Sequence, residues 1–392
     1  MMPDSEEAAA AFTAETVARR ETLSITGQGT QAGMGRPIRV DRSLSSRALT
    51  GVTLHEPAEL VISARAGTPV RELTEKLAAA GQVLAFEPVD LRALFGTTGE
   101  PTVGGLVAGN WAGPRRVMVG AVRDHLIGTR FVNGRGEVIK SGGRVMKNVT
   151  GLDLARLQCG AHGTLGFLTE VTFKVSPRAE ASATLVYRGL DDRRAVELLT
   201  IALGSPYEVS GAAHLPPGVA GAGGRTLLRL ENFAASVDYR CDRLAELTTG
   251  FGQPDCLSGN DAAELWAAIR DASILAEPRE RSVWRVSVPP TSGPGVVGRL
   301  PRDLLAAHYY DWGGGLIWLA VADRDDVGAS AIRAALAPCG GHATLMRAPD
   351  PVRARVDVFE PLSPPLQQVA RRIKAALDPA GIFNPGRMYS DV

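Results

Sequence analysis

Along residues 166–175 (GFLTEVTFKV) apolar and polar positions alternate, and β-branched and aromatic residues dominate. That two-residue period marks a half-buried strand. Strand-like runs also occur at 23–26 (LSIT), 126–132 (LIGTRFV) and 136–140 (GEVIK), and Asn133-Gly134 between the last two signals a hairpin. Helical spacing replaces alternation at Val70, Leu73 and Leu77, with Thr68 as N-cap, Pro69 at the first helical position and Gly81 as the stop. A second apolar stripe, Leu366, Val369, Ala370, Ile373 and Leu377, runs up to Pro379 and Gly381. Beyond Pro177, short β-like runs (TLVYR, TLLRLENF, SVWRVSV, GLIWLAV) alternate with helical stretches at 191–203, 238–249 and 260–271. This pattern predicts an α+β second domain starting near Ser176-Pro177-Arg178. The Pro/Gly clusters at 214–224 and 289–301 read as loops, and no internal repeat is found.

Length agrees with two domains, since 392 residues exceed the roughly 250 at which a single core stops growing. Basic and acidic side chains nearly cancel, 43 against 42, so no whole-protein field draws in a phosphate backbone and nucleic-acid binding is not expected. Cys159, Cys241, Cys256 and Cys339 contain no C-x-x-C pair, which argues against structural zinc, a cysteine-ligated iron–sulfur cluster or a disulfide scaffold. The acidic N-terminus has no apolar segment of a secretory signal, and LIWLAVA at 316–322 is too short to span a bilayer. A soluble cytoplasmic protein is expected.

Glycine shifts attention to one region. Residues 96–166 hold 16 of the 44 glycines, a density that implies backbone turned through positive φ or pressed close to something. Gly27-x-Gly29-x-x-Ala32 matches a dinucleotide fingerprint, but Gly33, Gly35 and Pro37 break the helix that fingerprint requires. What remains is a strand entering a loop of backbone N–H groups, either an anion-binding concavity or an ordinary turn. The segments 96–116 (GTTGEPTVGGLVAGNWAGPRR) and 147–168 (KNVTGLDLARLQCGAHGTLGFL) add two more glycine loops carrying small hydroxyl residues. One elongated cofactor touching all three loops explains them economically. No P-loop motif occurs.

ITGQGTQAGMG, PTVGGLVA, AVRD and NVTGLDL…GAHGTLGFLTE resemble, in this order, the FAD domain of the vanillyl-alcohol oxidase/PCMH flavoprotein superfamily. With WRVSVP, DWGGGLIWL, GGHATLMR and DPAGIFNPGRMY, the chain is similar from about residue 20 to 389 to the FAD-binding subunits of bacterial glycolate oxidases. The resemblance implies an α+β fold in three parts. Residues 1–177 form a PCMH-type FAD-binding domain of two sheet-containing subdomains. Residues 178–360 form an α/β cap domain with an antiparallel sheet, and 361–392 form a helix and tail returning to the FAD domain.

It further implies that Gly27, Gln28, Gly29, Thr30 and Gln31 wrap the FAD pyrophosphate. Thr102, Val103, Gly104, Gly105, Asn110, Asp124, Gly160, Gly163, Thr164 and Gly166 would line the rest of the cofactor, and Leu168 would begin the strand at its adenine end. Asp124 reads equally as a capping residue. Residues 26–35 contain no His or Cys, so the expected FAD is non-covalent. The implied reaction is oxidation of glycolate, or a similar small 2-hydroxy acid, to glyoxylate. It needs a base for the hydroxyl proton, a hydride acceptor and cations for the carboxylate. His342 is the candidate base, with the structural role of a hydrogen-bonded histidine as the alternative; Arg347 or Arg285 would clamp the carboxylate. The six histidines are dispersed in sequence, so no metal is expected. The implied partners are a second FAD subunit and an iron–sulfur subunit, which would place the chain peripherally at the inner membrane. Two other readings stay open: a non-catalytic electron-transfer or assembly subunit of the same complex, and a stand-alone FAD-dependent 2-hydroxy-acid dehydrogenase.

Overall fold

A computed structural model of the chain describes all residues except 144–150, 220, 222, 323 and 391–392. The first part of the NVTGLDL motif therefore lies outside the described residues. Two compact units are present, one of residues 1–112, 120–178 and 361–392, the other of 113–119 and 179–360.

In the first unit, β1 (Leu23–Thr26) pairs in parallel with β2 (Arg42–Ser45). A separate antiparallel sheet has the order β3-β4-β7-β5-β6, where β3 is Val52–Glu56, β4 Val61–Arg65, β5 Leu126–Val132, β6 Val138–Gly142 and β7 Phe167–Lys174. The Asn133 turn joins β5 to β6, with the Asn133 side-chain oxygen accepting from the N–H groups of Arg135 and Glu137. The helix Val70–Ala79 starts one residue later than the pattern predicts, with Pro69 as its cap. An N-terminal helix, Glu6–Ala18, was not legible in the sequence pattern; Ser5 caps it, and Thr13 and Thr16 satisfy their buried hydroxyls on its own carbonyls.

The returning C-terminus is built into this unit. Helix Pro364–Leu377 delivers Asp378, whose carboxylate accepts from the backbone N–H groups of Ile382 and Phe383 and pairs with Lys374 at 2.8 Å. Lys374 also donates to the carbonyls of Thr164 and Phe383. Phe383 then packs with Leu23, Leu44, Val132 and Phe167, each fully or almost fully buried. Burial of such side chains contributes about 1.5–3 kcal/mol apiece.

The second unit is one eight-stranded antiparallel sheet, ordered β11-β8-β10-β9-β13-β14-β12-β15. Here β8 is Ala181–Arg188, β9 Gly211–Leu215, β10 Arg225–Asn232, β11 Asp255–Leu257, β12 Ser282–Ser287, β13 Leu305–Asp311, β14 Leu316–Val321 and β15 His342–Arg347. Helices Asp192–Leu203 and Ala234–Leu247 cover one end of one face, and Gly293–Arg299 and Ala329–Leu336 cover the other end. Residues 293–299 are thus helical where the Pro/Gly content predicted a loop. Pro294 sits in the first turn, where its missing N–H costs nothing. The α+β class holds for the whole chain.

Candidate functional site

β1 runs directly into the loop 27–36, which turns back without forming a helix. Gly29 sits at φ +78°, and a Cβ there would stand in open space. Among the described residues, the backbone N–H groups of Gln28, Gly29, Thr30 and Gln31 have no hydrogen-bond partner within the chain. Four successive unsatisfied donors are costly unless water or an anion meets them, and together they form a concavity suited to a phosphate. The loop is held from behind: the Gln31 side-chain oxygen accepts from the Trp111 indole at 2.9 Å, and the Thr30 carbonyl accepts from the Thr97 hydroxyl at 3.0 Å.

This loop forms one wall of a groove that is open to solvent along one side. Thr102, Gly104, Gly105, Gly163, Gly166 and Leu168 line the remaining walls together with His162 and Arg387, and with residues that the sequence does not single out: Ile25, Ser46, Ala66 and Gln158. The tail brings Arg387 there because Asn384 bonds across two loops. Its backbone N–H donates to Leu23, and its side chain accepts from Ile25 N–H and donates to the His162 carbonyl. Burial, with the nearby Arg387 charge, pushes the His162 imidazole down to about 4, so it is neutral at physiological pH.

Five residues expected at the cofactor do not line the groove. Val103 is fully buried at the start of helix Val103–Gly109, which occupies part of the predicted second loop. Asn110 ends that helix, its side-chain oxygen accepting from Arg123 N–H and the Cys159 thiol. Asp124 accepts from Ala121 N–H at 2.8 Å as a capping residue. Gly160 donates to the Val107 carbonyl, and the Thr164 hydroxyl donates to Ala161. Gly104 of the helix lines the groove and also has a packing role. A Cβ on Gly104 would meet the Ala66 carbonyl oxygen at 2.8 Å, so its absence permits close packing of backbone on backbone.

A second constellation lies in the other unit, on the sheet face opposite the helices Asp192–Leu203 and Ala329–Leu336. Strand register sets Arg285 beside Thr344 and Ser287 beside His342, so Arg285 and His342 share a face as diagonal neighbours. The same register puts Trp318 and Tyr309 in line with Arg285, and Asp311 in line with Ser287. Burial and the like charge of Arg116 lower the Arg285 guanidinium to about 10, with Asp311 opposing them. His342 stands exposed at the start of its strand; partial desolvation by surrounding atoms, with Arg285 and Arg116, pushes it below its ordinary value, against the pull of Glu360. It keeps a neutral imidazole at neutral pH.

Arg347 lies elsewhere in function. Its Nε donates to the Arg281 carbonyl, Nη1 to Ala276, and Nη2 to both Leu275 and Pro278. A guanidinium committed to four carbonyls ties down the 275–281 turn and leaves no fork for a carboxylate. This commitment speaks against the clamp role expected of Arg347.

The family model described as FAD binding domain matches residues 1–142. Over 379 residues, 96% of this chain and 95% of the relative, the sequence is 34% identical to glycolate oxidase subunit GlcE of Escherichia coli (strain K12). The chain belongs to the GlcE family. It is accordingly an FAD-binding flavoprotein and an FAD-dependent oxidoreductase. The GlcE-family chain is also 27% identical, over 94% of its length and 86% of the relative, to the uncharacterized FAD-linked oxidoreductase Rv2280 of Mycobacterium tuberculosis (strain ATCC 25618 / H37Rv). Among solved structures, 4-ethylphenol oxidase from Gulosibacter chungangensis in its isoeugenol complex superposes with a TM-score of 0.74 over 100% of this chain and 89% of that one, at 14% identity. That similarity concerns the fold. No helix among the described residues is long and apolar enough to cross a membrane.

Proposed function

We propose that this chain is the FAD-binding subunit of a glycolate oxidase and oxidises glycolate, or a similar small 2-hydroxy acid, to glyoxylate. The observation that carries the reading is the row of four unpartnered N–H groups at 28–31, in a chain similar over 96% of its length to a GlcE subunit. These donors, with Gly27 and Thr102 beside them, fit the diphosphate of FAD, and the groove lined by Gly105, Gly163, Gly166 and Leu168 fits the rest of the molecule. FAD supplies the hydride acceptor when bound. Its attachment is non-covalent, since residues 26–35 carry no His or Cys.

The chain's own chemistry belongs to the second unit. Arg285 holds the substrate carboxylate, and the neutral imidazole of His342 takes up the hydroxyl proton as the α-hydride departs. Electrons then pass to an iron–sulfur subunit in a complex that also holds a second FAD subunit, at the cytoplasmic side of the membrane. The coexistence of Arg285 and His342 on one sheet face supports oxidation at this subunit over a purely relaying or assembly role. A variant His342→Gln, assayed for glycolate-driven flavin reduction, tests it. A loss of about 10² or more is expected of a general base, and an unchanged rate removes His342 from the reaction.

A further inference from the structure

We propose that Arg116 is a second carboxylate-binding residue, forming with Arg285 a two-cation seat for the anionic end of a small 2-hydroxy acid. The inference rests on the proposed function and deepens it. Arg116 reaches its place on a strap, residues 113–119, that belongs to the second unit although the chain on either side belongs to the first. The strap is fastened at two points. Arg115 pairs with Glu231 through both nitrogens of its fork, one contact being 2.8 Å, and Glu231 also accepts from the Ser210 hydroxyl at 2.6 Å and lies 3.2 Å from Arg229. The Gly113 carbonyl accepts from the Trp312 indole N–H at 3.1 Å.

The Arg116 guanidinium carbon then lies 4.5 Å from the Trp312 ring centroid, and that of Arg285 lies 4.9 Å from the same centroid. The indole attracts each cation through its ring face, but the two cations repel one another. Both side chains are half-buried, with part of each open to solvent. Asp311 already offsets part of this repulsion, and an incoming carboxylate adds to its pull. Two planar guanidinium forks suit a carboxylate by shape as well as charge. His342, whose imidazole feels both arginines, shares the sheet face of Arg285 as its diagonal neighbour.

The test uses the full chain loaded with FAD. Oxalate, a two-carbon dicarboxylate with no hydride to give, is titrated against the flavin spectrum of wild type, Arg116→Gln and Arg116→Lys. Reduction by glycolate and by its uncharged analogue glycolamide is measured in parallel. A charged hydrogen bond of about 1.5–3 kcal/mol corresponds to roughly a 10- to 150-fold loss of oxalate affinity in Arg116→Gln. Arg116→Lys is expected to fall between. The KM for glycolate should rise similarly while that for glycolamide hardly changes, a split that mere structural damage would not produce. Equal oxalate binding by wild type and Arg116→Gln, or equal losses for both substrates, overturns the role of Arg116 alone. A wild-type flavin that neither oxalate perturbs nor glycolate reduces overturns the proposed function together with it.

Discussion

Arg347 and Arg285 look equivalent in sequence, each an arginine within a β-like run, yet neighbours divide them. Arg347 spends its fork on four backbone carbonyls, whereas Arg285 lies beside an indole and a second arginine. Residue type made both candidates; the fold commits one of them to backbone carbonyls. Arg347→Ala should therefore destabilise the second unit by about 1–3 kcal/mol, the cost of leaving carbonyls poorly satisfied, with the KM for glycolate unchanged. Denaturant unfolding and steady-state kinetics on the same preparation check this, and a raised KM without lost stability would restore the clamp. His342 gives a pH prediction. A base works deprotonated, and its proton is held more loosely than the ordinary 6.5 because of partial desolvation and the two arginines. The rate of flavin reduction should stay high through pH 6.5 and fall only at lower pH. An inflection above 6.5 would contradict that environment.

At the scale of elements, the strands and helices were legible because period and punctuation are local properties. Leu23–Thr26 and Leu126–Val132 occur as the pattern predicts, and Val70–Ala79 and Pro364–Leu377 lie within two residues of it. The glycines were harder, because a glycine needed for ligand approach and one needed for packing look identical in sequence. Both border the groove, but a Cβ on Gly104 would strike the Ala66 carbonyl, whereas one on Gly29 would meet open space. The contrast is testable. Gly104→Val should lower the thermal midpoint of FAD-free protein as well as flavin retention. Gly29→Ala should cost about 1–2 kcal/mol for its left-handed backbone while weakening FAD binding by tenfold or more. Equal effects of both substitutions on the FAD-free protein would undo the distinction. Lys374 offers a further check on the returning tail. Lys374→Ala leaves Asp378 buried without its cation and should cost about 3–5 kcal/mol in unfolding experiments.

What no local pattern could show is which residues the whole molecule assembles. His214 and His308, dispersed in sequence, meet on Asp192 because β9 and β13 are neighbours. His308 contacts one carboxylate oxygen at 2.8 Å with the Tyr310 hydroxyl at 2.7 Å, and His214 approaches the other at 3.4 Å. Burial raises the Asp192 carboxyl, but hydrogen bonds from His214, His308 and Tyr310 outweigh it and hold the group well below its ordinary 3.8. A folded-state value below the unfolded one means that the unfolded chain binds the proton more readily. The stability from Asp192 is thus complete above about pH 3.8 and drains away as pH falls through the folded-state value. Asp192→Asn should remove that part of the acid dependence, as read by urea midpoints from pH 5 down to pH 2; an unchanged slope below pH 4 would sink the assignment. The strap 113–119 is the other feature of this scale. Its residues looked like the tail of a cofactor loop, and only the tertiary structure assigns them to the sheet that carries Arg285.

One measurement bears most directly on the central claim that this chain holds FAD and oxidises a 2-hydroxy acid at it. The purified single chain is reconstituted with FAD, and its visible spectrum is recorded before and after anaerobic addition of glycolate. The account predicts flavin absorbance that acid precipitation releases into solution and that glycolate bleaches in the absence of any other subunit. Bound flavin that stays oxidised under glycolate would contradict the claim and assign the chemistry to a partner subunit.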